Sequence, residues 1–415
     1  MMNKYFENIL TKGVGVLKNL ATIFFVIRSL SKSDYGLWGL LTTFEMILLM
    51  VISGLCFTPF VKFYSETKSI SDKRSLLQST AIITVSGTMI GLLLFYAGIY
   101  LSYKISLISI DHLMVKFLFL FGIIVFMRII RQFWQNYLIA QIRTREILHI
   151  TIAANLIYIG SITYLFLMGN SVLSLETLAI IYIFSDGIIF FFLLKDIKIN
   201  IVPEPRNRLA SWRIKILGFG RFTFASNSLA VLTSRTDAIM LPAFTSTTIL
   251  GEYMAIKNIV DVVRNLTTAI VEIAFPKFSK NVIQEKFNDI KKSTLKYFLF
   301  LSFFYSLFIL LVWLFGQNLL FLAYGIKYQH LSDLFLIFSF LPLVGIFGSI
   351  GSSITLAHNI PRQVLIGTII SFTINIILNL LLIPVLEAKG AALATICSVF
   401  IGGIYVFRFG WKKLG

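Results

Sequence analysis

Charge is scarce in this chain. Asp, Glu, Lys and Arg supply only 13% of its 415 residues, against about a quarter in soluble domains. That excludes a water-soluble globular protein. Acids are scarcer than bases, 19 against 37. Cysteine is almost missing. Cys56 and Cys397 both lie in apolar stretches, so neither a disulfide framework nor a cysteine zinc site is indicated. The histidines, His112, His149, His330 and His358, fall near expected helix ends without ligand spacing, which gives no metal site. No cleavable signal peptide is legible: the first apolar stretch contains Lys12 and Lys18 and lacks a small-residue cleavage site, so it is expected to stay as a membrane helix. No connection between apolar stretches is long enough to be a domain.

What is present is apolar. Hydrophobic residues make up 57% of the chain and mean hydropathy is +0.86. Forty Phe and sixteen Tyr suit lipid-facing surfaces and interfacial belts. The fold class is therefore an all-α polytopic membrane protein. About twelve segments are long enough to span, with limits near 9–30, 38–61, 77–103, 113–138, 147–168, 174–194, 216–241, 249–275, 294–316, 331–357, 363–385 and 390–410. The net charge of +18 does not point to nucleic acid, because most bases sit in short loops. They cluster in the two termini and the even-numbered connections; the odd-numbered ones hold only Arg28, Lys32, Lys104, Arg235, Lys327 and Lys389. The positive-inside rule then places both termini in the cytoplasm.

The longest connection, about 195–215, is charged and carries Pro203 and Pro205. It divides the chain into an N-terminal six-helix lobe (1–195), a linker (196–215) and a C-terminal six-helix lobe (216–415). The linker end, with Trp212, Arg213 and Lys215, reads either as an interfacial helix or as a plain basic connection. The halves resemble each other. Gly36 corresponds to Gly251, the Pro59 region to Pro276, and Ala140 with Arg145 to Ala357 with Arg362, at offsets of 215 to 217. Glu45 lands within one position of Asp261. Six helices per half make the repeat parallel, with a pseudo-two-fold axis along the membrane normal, as in many transporters.

The stretch 249–280 is long and apolar, yet Lys257, Asp261, Arg264, Thr268 and Glu272 recur at spacings of 4, 3, 4 and 4. On a helix these share one face. Lys257, Asp261 and Arg264 are spaced to pair along it. Such a stripe avoids lipid. It either lines a polar path or glues helices together.

Three stretches carry a resemblance to a known family. They are Arg28-Ser29-Leu30-Ser31-Lys32-Ser33-Asp34-Tyr35-Gly36, the run from Gly218-Phe219-Gly220-Arg221 through Asn227, Ser234-Arg235-Thr236-Asp237 and Gly251-Glu252-Tyr253 to Pro276, and Gly390-Ala391-Ala392-Leu393-Ala394-Thr395. Together they resemble the Wzx-type flippases, the polysaccharide branch of the multidrug/oligosaccharidyl-lipid/polysaccharide (MOP) exporter superfamily. The resemblance implies a bacterial inner-membrane protein with two six-helix lobes in a V that opens alternately to each side. It implies a cargo of oligosaccharide repeat units on undecaprenyl diphosphate, and a polysaccharide polymerase as a partner. It implies transport, not enzyme chemistry.

A diphosphate needs cationic partners, since a buried unpaired anion is prohibitive. Lys18, Arg128, Arg131, Arg221, Lys257 and Arg264 are the candidates. Each has a competing reading: an interior salt bridge for Lys18, snorkelling for Arg221 and topology anchoring for Arg131. Lys116, near an outer end, reads as a snorkelling anchor. The intramembrane acids Glu45, Asp186, Asp261 and Glu272 are candidates for binding a coupling proton or sodium ion, or for pairing with Lys18, Lys257 or Arg264. No other cofactor is expected. A kink is plausible at Ser185-Asp186-Gly187, and Asp237 is placed to pair with Arg235. The intramembrane asparagines, Asn375 and Asn379 among them, read mostly as interhelical glue. Two rival functions remain: a cation-coupled multidrug exporter of the same superfamily, and a membrane-embedded polymerase. The first should show an acidic cavity and the second a sizeable catalytic loop.

Overall fold

Long apolar runs separated by short polar ones leave the backbone one economical solution in lipid, which is to bond to itself within each run. A computed structural model describes residues 14–15, 17–104, 112–141, 143–169, 173–197 and 203–414; of these, the side chains at 65, 102, 112–114, 144, 188–197, 222, 223, 225–227, 230, 233, 266, 268, 269, 271–273 and 276 are outside the described set. Among the described residues there is no strand.

Helix α1 ends with a π-helical turn, Thr22–Val26, and Ile27–Ser29. Helix α2 runs Lys32–Ile52, through a second π turn, Ser53–Phe57, into Thr58–Glu66. Then come α3 (Ile70–Lys104), α4 (His112–Ala140), α5 (Thr144–Met168), α6 (Leu175–Ile197), α7 (Arg206–Phe244), α8 (Thr247–Ile283) and α9 (Phe287–Tyr324). A 3-10 turn, Ile326–Leu331, leads into α10, made of Ser332–Ser339 and Leu341–Ala357. The last element, Pro361–Lys412, is two helices, α11 and α12, broken at Glu387, whose φ is 49°. Among the described residues, seven stretches are long and apolar enough to cross a membrane: Lys32–Tyr64, Ile70–Leu101, Val115–Ala140, Arg145–Met168, Phe287–Tyr324, Ile326–Ala357 and Pro361–Lys412.

Several helices start earlier or end later than hydropathy alone indicates, because polar flanks continue the helix into the headgroup layer. Residues 206–215, the end of the long connection, are the first turns of α7. Helix α6 passes through Asp186 without the kink expected there. The start of α8 is set by Ser246, whose side chain accepts from the Ile249 N–H.

Two compact units are formed: unit 1 holds Met1–Leu30 and Phe44–Ser228, unit 2 holds Ser31–Thr43 and Leu229–Gly415. Helices α2 and α7 each belong to both. In unit 2 the starts of α2 and α8 cross at the glycines matched by the repeat. A Cβ on Gly36 would lie 1.7 Å from the Thr247 carbonyl oxygen, and one on Gly251 1.9 Å from that of Lys32. In unit 1 a related contact follows from a proline. Pro59 has no N–H to donate to the Leu55 carbonyl one turn back, and α7 packs its Gly220 there, where a Cβ would be 2.0 Å from the Leu55 oxygen.

Candidate functional site

In unit 1 five helices bring ionisable and aromatic side chains to one place. Arg128 and Arg131 are three apart on α4, and Tyr182 and Asp186 four apart on α6, so each pair shares a face. Arg128 Nη1 donates to both oxygens of Glu45 on α2, at 2.7 and 2.5 Å. Its Nε donates to Asp186 Oδ2 at 3.4 Å. Arg131 Nη1 donates to Asp186 Oδ1 at 2.7 Å. The acids are deeply buried, with side-chain exposures of 4% for Glu45 and 1% for Asp186, while both arginines retain 18%.

Lys18 joins this group differently. Its ammonium lies 4.5 Å from the ring centre of Tyr158 on α5 and 4.8 Å from that of Tyr182. Among the described residues it makes no ion pair. Arg128 covers Tyr182 from its own side, 4.3 Å from ring centre to Cζ. Thr22, one turn after Lys18, is 2.9 Å from the Tyr158 hydroxyl. The ionisable groups are thus three basic side chains and two carboxylic acids, a surplus of one base. Buried ion pairs recover little net stability after desolvation. A cluster of this size is therefore better explained by what it binds than by what it stabilises.

The partners differ from expectation in part. Glu45 and Asp186 pair with Arg128 and Arg131, not with Lys18, Lys257 or Arg264. Arg131, which topology anchoring explained almost as well, points instead into the buried cluster. Lys116 holds Glu176 at 2.9 Å with 60% of its side chain exposed, a helix-end ion pair.

In unit 2 Lys257 is buried on α8 and turns away from Asp261. It donates to Asp237 Oδ2 at 2.7 Å and to the Ser234 carbonyl at 3.1 Å. Tyr253 donates to the same carboxylate. Asp237 therefore pairs with Lys257 rather than with its neighbour Arg235, because α8 brings an ammonium against α7 that the local sequence does not reveal. Arg264 and Asp261 pair along α8 at 3.1 Å, with 43% and 31% of their side chains exposed. Arg221 is exposed on α7, outside the cluster. The side chains of Glu272 and Thr268 lie outside the described residues. Asn375 acts as interhelical glue, donating to Ser398 of α12 at 3.4 Å; the bond Asn379 donates, to Asn375 at 3.0 Å, stays within α11.

Sequence reasoning noted Thr22 beside Lys18 but passed over Tyr158 and Tyr182. A signal existed: Tyr182 precedes Asp186 by one helical turn.

Many long apolar helices mark a polytopic membrane protein, and the comparisons give its family and fold. A protein family described as "Polysaccharide biosynthesis protein" matches residues 5–282, the greater part of the chain, and the chain belongs to that family. Among solved structures, an inward-facing multidrug resistance MATE-family transporter of the MOP superfamily matches with a TM-score of 0.75 at 10% identity, covering 98% of each chain. The lipid II flippase MurJ, in an inward closed conformation, matches with a TM-score of 0.74 at 14% identity over 100% of this chain and 90% of that one. A MOP superfamily transporter from Pyrococcus furiosus matches at 0.64 and 11% identity, over 99% and 94%. At such identities these structures establish the fold, which is that of MOP transporters. No curated protein matches significantly in sequence. The chain is accordingly a multi-pass membrane protein of the polysaccharide biosynthesis family with the fold of MOP transporters.

Proposed function

We propose that this protein moves undecaprenyl-diphosphate-linked oligosaccharide units, such as O-antigen, capsule or related repeat units, across the bacterial inner membrane by alternating access of two six-helix lobes, 1–195 and 216–415. The observation that carries this reading is the buried cluster in unit 1, with Lys18, Arg128 and Arg131 set against only Glu45 and Asp186. Guanidinium groups suit a diphosphate because they bind its oxygens two at a time. The family's place in polysaccharide biosynthesis and the lipid-linked cargo named for one structural relative support the same class of substrate. Arg221, Lys257 and Arg264 are secondary contacts in this scheme. A polysaccharide polymerase is the natural recipient of the cargo.

Ion coupling follows from the pairing. A diphosphate that takes Arg128 and Arg131 leaves Glu45 and Asp186 without partners in a low-dielectric interior. A proton or sodium ion would restore the balance. Asp261 and Glu272 are further candidates for that ion. A multidrug exporter of cationic compounds is a poorer fit, since its cavity should carry an acidic surplus rather than a basic one.

The test uses protein in liposomes with a fluorescent undecaprenyl-diphosphate oligosaccharide, scoring label that reaches the opposite leaflet. Wild type should transfer it and Lys18→Ala should not, with folding intact. Absence of any transfer, together with efflux of small cationic dyes, would replace this reading with the multidrug one.

A further inference from the structure

We infer that Tyr158 and Tyr182 are positioning residues that seat the Lys18 ammonium as the uncompensated cation of the unit 1 cluster, where it makes first contact with an incoming phosphate group. The seat is a property of the chain itself; the contact with cargo rests on the function proposed above.

The charge inventory comes first. Arg128 and Arg131 already hold Glu45 and Asp186, so an arriving anion must displace a carboxylate to reach them. Lys18 holds no carboxylate among the described residues. Its contacts are the two ring faces, at 4.5 and 4.8 Å. A ring face attracts a cation through its quadrupole without cancelling the charge, and an ammonium has three N–H donors to offer. Lys18 is therefore held, yet still able to receive an anion.

The seat is rigid. The rings of Tyr158 and Tyr182 lie 4.7 Å apart with planes at 48°, forming a notch. Tyr158 is fully buried and Tyr182 is 6% exposed. Thr22 bonds the Tyr158 hydroxyl at 2.9 Å and also donates to the Lys18 carbonyl at 2.9 Å, tying ring and lysine to one turn of α1. Tyr182 touches both Lys18 and Arg128. Both basic groups lie within cation–π distance of this one ring, where a third carboxylate would otherwise be the partner. A third carboxylate would remove the positive surplus, and the tyrosine pair keeps it.

Two tyrosines that merely fill a core would behave differently from two that seat a cation. The test begins with wild-type protein whose lysines carry 13C-dimethyl groups, which keep the positive charge. The Lys18 resonance, assigned by its disappearance in Lys18→Arg, should be displaced upfield by the ring currents. The paired variant Tyr158→Phe with Tyr182→Phe keeps the ring faces and should keep that displacement. Tyr158→Leu with Tyr182→Leu should lose it. Binding of inorganic pyrophosphate, the probe, should weaken about tenfold in the leucine pair and stay within about twofold of wild type in the phenylalanine pair. An undisplaced Lys18 resonance in wild type overturns the seat, and that measurement requires only the conservative Lys18→Arg, used for assignment, to fold. Pyrophosphate binding at wild-type strength in a folded leucine pair overturns the positioning role. A displaced resonance with tight pyrophosphate binding, in a protein that transfers no lipid-linked sugar, supports the seat and removes the flippase reading instead.

Discussion

The two units solve the same packing problem with different chemistry. Unit 1 buries five ionisable side chains from four helices around two tyrosines. Unit 2 holds an apolar cluster of Ala274, Phe278, Ile290, Leu301, Tyr305, Ile346, Ile350, Ile354 and Leu414, and its buried ion pair is the single one of Lys257 with Asp237 among the described residues. The repeat sharpens the contrast. One repeat offset beyond Arg128 stands Val344, and beyond Asp186 stands Gly402. A Cβ on Gly402 would meet the Ser371 hydroxyl at 2.0 Å, so tight helix contact occupies the place where unit 1 has a carboxylate. Burying paired charges is rarely the best route to stability, so the larger cluster of unit 1 is the stronger candidate site.

The comparison can be broken at graded cost, read as unfolding of purified protein in detergent. The largest effect is expected from Asp186→Ala, which strips Arg131 of its carboxylate and Arg128 of one of its two; the loss should be about 3–5 kcal/mol. In unit 2, Lys257→Met orphans Asp237 only partly, since Tyr253 and the Ala238 N–H still bond that carboxylate. About 2–3 kcal/mol is expected there. Gly351→Ala tests the apolar side. Its Cβ would sit 2.6 Å from Phe407 Cα, forcing α10 and α12 apart for about 1–2 kcal/mol. The smallest effect belongs to Arg264→Gln, whose pair with Asp261 is partly exposed; less than about 1 kcal/mol should be lost. If Arg264→Gln proved as damaging as Asp186→Ala, the contrast between a buried ionic site and a solvated stripe would not hold.

Much of this was legible beforehand, for physical reasons. Lipid forces helices on apolar runs, so the membrane class and the all-helical fold follow from hydropathy, though seven of the described stretches, not twelve, are long and apolar enough to span. The break between α11 and α12 at Glu387 coincides with the gap expected between 385 and 390. Each of Lys18, Glu45, Arg128, Arg131 and Asp186 stands out singly because charge in an apolar run is expensive. Which of them meet was not legible. Pairing depends on how α2, α4 and α6 rotate about their axes, and one sequence carries no information about that. For the same reason Asp237 found Lys257 across helices instead of Arg235 beside it. The tyrosines were hidden by their number: among sixteen in the chain, two with a cationic neighbour look like any other membrane aromatics.

The most direct measurement replaces the ionic site as a whole. Glu45→Leu, Arg128→Met, Arg131→Met and Asp186→Leu together remove every carboxylate and guanidinium of the cluster and leave Lys18 on its two ring faces. Stability should be unchanged or higher by about 1–4 kcal/mol. Transfer of fluorescent undecaprenyl-diphosphate oligosaccharide in liposomes should vanish. A stable quadruple variant that still transfers the lipid at the wild-type rate would contradict the claim that unit 1 handles the diphosphate.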